Sequence, residues 1–166
     1  YTPAKLDSIE SVEFKSLGTT ADFGNLSVAR SNIGTGHSST TRAMCVGGHE
    51  DTAGFVPTIE YWTMATAGNV TDFGDATVSV GNHCGTGSIT RAVMAGGMSP
   101  SEIDVIDYIT VASTGDATDF GDLTVARGET GTACSSTRGI WMAGRTNTPS
   151  PGTALNEIDY ITIAST

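Results

Sequence analysis

The sequence predicts an all-β repeat protein, on three observations. One pattern of residues returns at a nearly constant step, the apolar residues fall in short β-branched runs of four to seven, and no stretch shows a helical period. Of 166 residues, 38% are hydrophobic, only 16% are charged and 21 are Gly, which excludes a charged disordered tail and a helical bundle. At about 100 to 200 residues per domain, the length suits one repeat domain spanning 1–166.

Three markers define the repeat. Asp22-Phe23-Gly24 returns as Asp72-Phe73-Gly74 and Asp119-Phe120-Gly121, at steps of 50 and 47 residues. The pair Thr41-Arg42 returns as Thr90-Arg91 and Thr137-Arg138, at steps of 49 and 47, each followed by an apolar stretch and then Gly47-Gly48, Gly96-Gly97 or Ala143-Gly144. The third marker alternates and appears four times, starting at Ile9-Glu10-Ser11, Ile59-Glu60-Tyr61, Ile106-Asp107-Tyr108 and Ile158-Asp159-Tyr160. The units are therefore a partial one over about 6–26, then 27–75, 76–122 and 123–166.

Within a unit the elements follow in a fixed order. Asp-Phe-Gly reads as a turn, with the Asp capping it and Gly24, Gly74 and Gly121 supplying a positive φ, and Leu123-Thr124-Val125-Ala126 after it as a short strand. A Gly/Ser-rich stretch comes next, then a strand opened by the Arg, such as Gly139-Ile140-Trp141-Met142-Ala143. A loop of variable length and sequence follows (49–57, 98–104 and 145–156), and the Ile-Asp-Tyr strand closes the unit. Four-stranded β-propeller blades of about 40 to 50 residues fit this period and strand count. A three-fold β-trefoil or β-prism is the alternative.

The repeated residues read as structural. Phe23, Phe73 and Phe120 suit the seam between neighbouring blades, and Arg42, Arg91 and Arg138 suit loop carbonyls or an Asp of the same turn. Asp-Phe-Gly is also a magnesium-binding triplet of protein kinases, but here it comes without a nucleotide-binding glycine loop, strand lysine or catalytic loop. His37, His49 and His83 sit at unequal repeat positions as scattered loop residues, and Cys45, Cys84 and Cys134 form no C-x-x-C pair and read as small core residues. No nucleophile elbow and no carboxylate pair can be nominated, so no enzyme, cofactor or metal is expected. Asn25-Leu26-Ser27 and Asn69-Val70-Thr71 match the N-glycosylation acceptor, a pattern frequent by chance in a Thr-rich chain.

The order of Arg, Gly-rich strand, double Gly, variable loop and Ile-Asp-Tyr resembles the kelch repeat, with Phe23, Phe73 and Phe120 standing where kelch proteins usually carry Trp. Ser-Ser-Thr-Arg-Gly at 135–139 and the segment 108–123 resemble the kelch-like repeats of structural proteins from large tailed phages, especially those of marine cyanobacteria. This resemblance implies a virion or extracellular protein, structural or receptor-binding, whose partners are other virion proteins or a host-surface glycan. A lectin with three-fold repeats is the alternative, and a propeller enzyme ranks below it.

The formal charge of −10 disfavours nucleic acid and anionic membranes, and no apolar run reaches the length of a membrane span. Propellers close with about four to eight blades. Three complete units are therefore expected not to close alone, and the simplest homo-oligomer is a dimer supplying six blades, with the opening segment of one chain finishing the last blade of another.

Overall fold

A computed structural model describes residues 4–15, 18–34, 36–147 and 151–164. The described residues contain no helix; the chain is all-β, built from several small antiparallel sheets, none of them closed. β1 (Leu6–Ser11) pairs with β2 (Ala21–Arg30). β3 (Arg42–Val46), the small hairpin β4 (His49–Glu50) and β5 (Gly54–Phe55), β6 (Thr58–Thr63) and β7 (Thr71–Asp75) follow, with β3-β6-β7 forming one sheet. The next sheet is a four-stranded meander of β8 (Cys84–Gly87), β9 (Arg91–Ala95), β10 (Val105–Thr110) and β11 (Thr118–Asp122). The last is β12-β13-β16, from β12 (Gly131–Cys134), β13 (Arg138–Met142) and β16 (Ile158–Thr162), with the hairpin β14 (Arg145–Thr146) and β15 (Thr153–Ala154) inserted before β16.

The apolar pattern explains how these sheets stack. β9 reads Arg-Ala-Val-Met-Ala and is buried along almost its whole length, because both of its faces are covered. Ala92 and Met94 point to one side, into a cluster with Met44, Val46, Ile59, Phe73, Ile109 and Val111. Val93 and Ala95 point to the other, into a cluster with Ile106, Leu123, Trp141 and Ile163. Each cluster is thus a seam between two sheets. Trp141 is completely buried and its indole N–H donates to the Cys84 carbonyl at 2.9 Å, so a polar atom in the seam keeps its partner.

The register repeats with the sequence. Ile9, Ile59 and Ile106 oppose Gly24, Gly74 and Gly121, and each pairing slips by one residue at the next position, the same bulge three times over. This corrects the reading of Asp-Phe-Gly as a turn: all three triplets lie within strands, β2, β7 and β11. The glycines do take positive φ, at 153°, 144° and 137°, but the bulge requires it. Leu123-Thr124-Val125-Ala126 is correspondingly not a strand; it bends away after β11.

Four strands are complete only in the β8–β11 sheet among the described residues. Ahead of β3 the chain makes a single bridge, Ser38 to Ala43, with the Met44 amide donating to the His37 carbonyl at 3.0 Å. Gly36 packs closely there, and a Cβ on it would lie 1.7 Å from the Met44 carbonyl oxygen. The opening strand β1 is paired with β2 in a two-stranded hairpin.

Candidate functional site

The repeated polar residues assemble into one arrangement used several times. A serine starts it. The Ser39 hydroxyl accepts from the amides of Thr41 and Arg42 at 3.2 and 3.0 Å, and Ser88 and Ser135 hold Thr90-Arg91 and Thr137-Arg138 in the same way. This corner fixes the arginine at the start of its strand. The guanidinium then lies over the tyrosine of the adjacent strand, at 4.4 Å for Arg42 on Tyr61, 4.5 Å for Arg91 on Tyr108 and 4.8 Å for Arg138 on Tyr160. Tyr61 and Tyr108 in turn meet Phe73 and Phe120 edge to face, at 5.9 and 6.0 Å.

The stack reaches across the seam. Arg42 donates to the carbonyl of Val111, in the next sheet's unit, at 2.8 Å, and Arg91 to that of Ile163 at 2.8 Å. The partners are thus backbone carbonyls of the following unit rather than an Asp of the same turn. Phe73 is buried in the first seam; Phe120 is half-buried beside the second; Phe23 is half-buried in β2. Asp22, Asp72 and Asp119 are exposed on their strands, and Asp119 accepts from the Gly121 amide at 3.0 Å.

A second repeated contact ties the segment leaving each sheet to the third strand of the next. Thr77 donates its amide and hydroxyl to the Asp107 carboxylate at 2.9 and 2.8 Å. Thr124 does the same to Asp159 at 3.2 and 2.9 Å, and Arg127 adds an ion pair at 2.9 Å. The Ser27 amide donates to Glu60 at 3.3 Å, and Arg30 pairs with that carboxylate at 2.5 Å, both side chains buried. Val80 occupies the corresponding place above Asp107. Burial pushes the Asp107 carboxyl up, against the pull of the Thr77 hydrogen bonds. At Asp159 burial works in the same direction, but the Thr124 and Arg127 contacts prevail and hold the carboxyl below its usual range.

None of Arg30, Glu60, Asp107, Arg127 or Asp159 carried a role in the sequence reading. A signal was present: Leu-Ser-Val-Ala-Arg at 26–30 returns as Leu-Thr-Val-Ala-Arg at 123–127, and the acid of the Ile-Asp-Tyr marker recurs with it. Backbone contacts complete the seams. Gly68 and Gly115 donate to the carbonyls of Phe23 and Phe73 at 2.6 and 2.7 Å, and Gly48 and Gly97 donate to those of Val80 and Arg127 at 2.8 and 2.9 Å.

The remaining chemistry-bearing residues stay apart. The His37 ring nitrogen lies 2.8 Å from the Ser88 carbonyl, His49 meets Lys5 at 2.8 Å, and His83 is buried with neither ring nitrogen hydrogen-bonded. His83 therefore differs from the surface loop residue its position suggested; it packs where Gly34 leaves no room for a Cβ. Among the described residues no three His, Cys, Asp or Glu side chains converge to hold a metal. Cys45 and Cys84 are buried and Cys134 is exposed, a departure from the core placement expected of all three. Burial, with the Glu60 carboxylate beside it and Arg30 opposing, pushes the Cys45 thiol up to about 12, so it stays protonated and unreactive. No described helix is long and apolar enough to cross a membrane.

The loops of variable sequence lie at one end of successive sheets, each following the Gly-Gly or Ala-Gly pair of its unit, and two of them touch. Asn147 donates its amide to Glu102 at 2.6 Å, linking the loop before β16 to the loop before β10. Arg145 pairs with Glu129 at 3.1 Å, and Lys5 pairs with Asp51 at 2.9 Å. These loops differ in sequence from unit to unit on a frame that does not. No protein-family model matches this chain, and no curated protein is significantly similar to it.

Proposed function

We propose that the chain is a row of kelch-like β-propeller blades that acts without catalysis, as a structural or receptor-binding protein of a tailed-phage virion. One observation carries this reading. The recurring arginines, acids and threonines hold one sheet to the next, while sequence variation is gathered in the adjoining loops at one end. A rigid frame with varied loops is the arrangement of a binding surface, and its ligands are a host-surface glycan or a neighbouring virion protein. The net charge of −10 fits partners other than nucleic acid.

Antibodies against the chain should decorate tailed particles in electron micrographs. Fluorescently labelled chain should bind host cells, and exchange of loop 145–156 should change which cells are bound. Undecorated particles, or binding indifferent to every loop exchange, would contradict the reading.

A further inference from the structure

Each internal seam joins the same two faces. Towards the following sheet, the third strand presents an Ile and a Tyr; Ile59 and Ile106 there are buried. Towards the preceding sheet it presents a pair of apolar residues; Ile109, Val111 and Ile163 there are buried, whereas Met64, which meets only the two-stranded hairpin, is 49% exposed. The shared register assigns the first kind of position to Ile158 and Tyr160 and the second to Val12 and Phe14. Among the described residues these four stay open to solvent: Ile158 is 69% exposed, Tyr160 64%, Val12 54% and Phe14 101%. The polar half of the seam is divided in the same way. Arg138 is stacked on Tyr160 as its counterparts are on theirs, yet no described carbonyl accepts from it.

We propose that these two end faces are the halves of one more seam, completed by a second copy of this chain joined head to tail. The β12–β13–β16 sheet of one copy receives the β1–β2 hairpin of the next. Ile158 and Tyr160 pack on Val12 and Phe14, and Arg138 donates to the Phe14 carbonyl, the position matching Val111 and Ile163. This rests on the row of blades proposed above and names its partner. Because the contact joins unlike faces, copies add in one direction and form a ring or an open chain according to whether the rotation closes. Exposed apolar area of this kind is what such a contact buries.

Sedimentation of three samples tests it. Wild-type chain should assemble beyond its 17.0 kDa monomer with increasing concentration. Ile158→Asp and Phe14→Asp should each weaken assembly at least tenfold, since either removes one half of the seam. An equimolar mixture of the two variants retains one intact tail and one intact head, and should form a 1:1 pair and nothing larger. Far-UV circular dichroism checks that each variant is folded, with Ile158→Lys and Val12→Asp as replacements for one that is not. A wild-type monomer persisting at several hundred micromolar, a mixture that does not pair, or either variant still dimerising alone would overturn the proposal. A monomeric result leaves loop binding standing, whereas undecorated particles leave the seam standing.

Discussion

Ala143 sits where the two other complete units have glycine, and it keeps their conformation, with φ 56° against 59° at Gly47 and 65° at Gly96. A left-handed conformation costs a residue with a Cβ about 1–2 kcal/mol. Ala143→Gly should therefore stabilise the chain by about 1 kcal/mol in chemical denaturation. Gly96→Ala should do the opposite and by more, because its Cβ would lie 2.4 Å from the Arg127 carbonyl oxygen. His83 gives a pH-dependent case. Burial lowers its pKa to about 4, so the unfolded chain takes up a proton near 6.5 that the folded chain refuses. Stability is full above pH 6.5 and falls as the pH drops from 6.5 to about 4, by at most about 3 kcal/mol. His83→Leu should flatten that part of the stability profile relative to wild type; identical slopes for the two proteins would refute the assignment.

At the scale of the element, the seams set the energetics. Phe73 is 2% exposed, so Phe73→Ala should cost about 3–5 kcal/mol. Phe120 is only half-buried, and its truncation should cost roughly half as much. Equilibrium unfolding of the two variants compares them directly. The buried pair of Arg30 and Glu60 is a further test. Arg30→Met leaves a carboxylate buried without its counter-charge and should cost about 3 kcal/mol, most of it recovered when Glu60→Gln is added. An additive double variant would mean that the pair does not act as a unit.

The repeat, the all-β class and the arginine and Ile-Asp-Tyr strands were legible because period and alternation survive in the sequence. The Asp-Phe-Gly bulge reads as a turn in the sequence for a physical reason: Asp and Gly are favoured in both, and only the pairing register distinguishes them. The acids at 60, 107 and 159 alternate with apolar neighbours, so each reads as the solvent face of a strand. Their donors lie 30 to 35 residues earlier, across a gap that no local pattern spans. His83 carries no signal at all, since its burial depends on the glycine at position 34.

For the whole molecule, the central claim is that the repeated seam contacts make the row of sheets one cooperative body rather than a string of independent ones. Stacked repeats are stable through their neighbours, so coupling between sheets decides whether parts open separately. The amides of Thr77, Gly115 and Thr124 lie in the seams, whereas that of Val93 lies in a central strand. Native-state hydrogen exchange compares them in one experiment. Cooperative seams predict that the seam amides exchange with the same opening free energy as Val93, equal to that of global unfolding. Seam amides exchanging several kcal/mol more easily than Val93, in groups that follow single sheets, would contradict the claim.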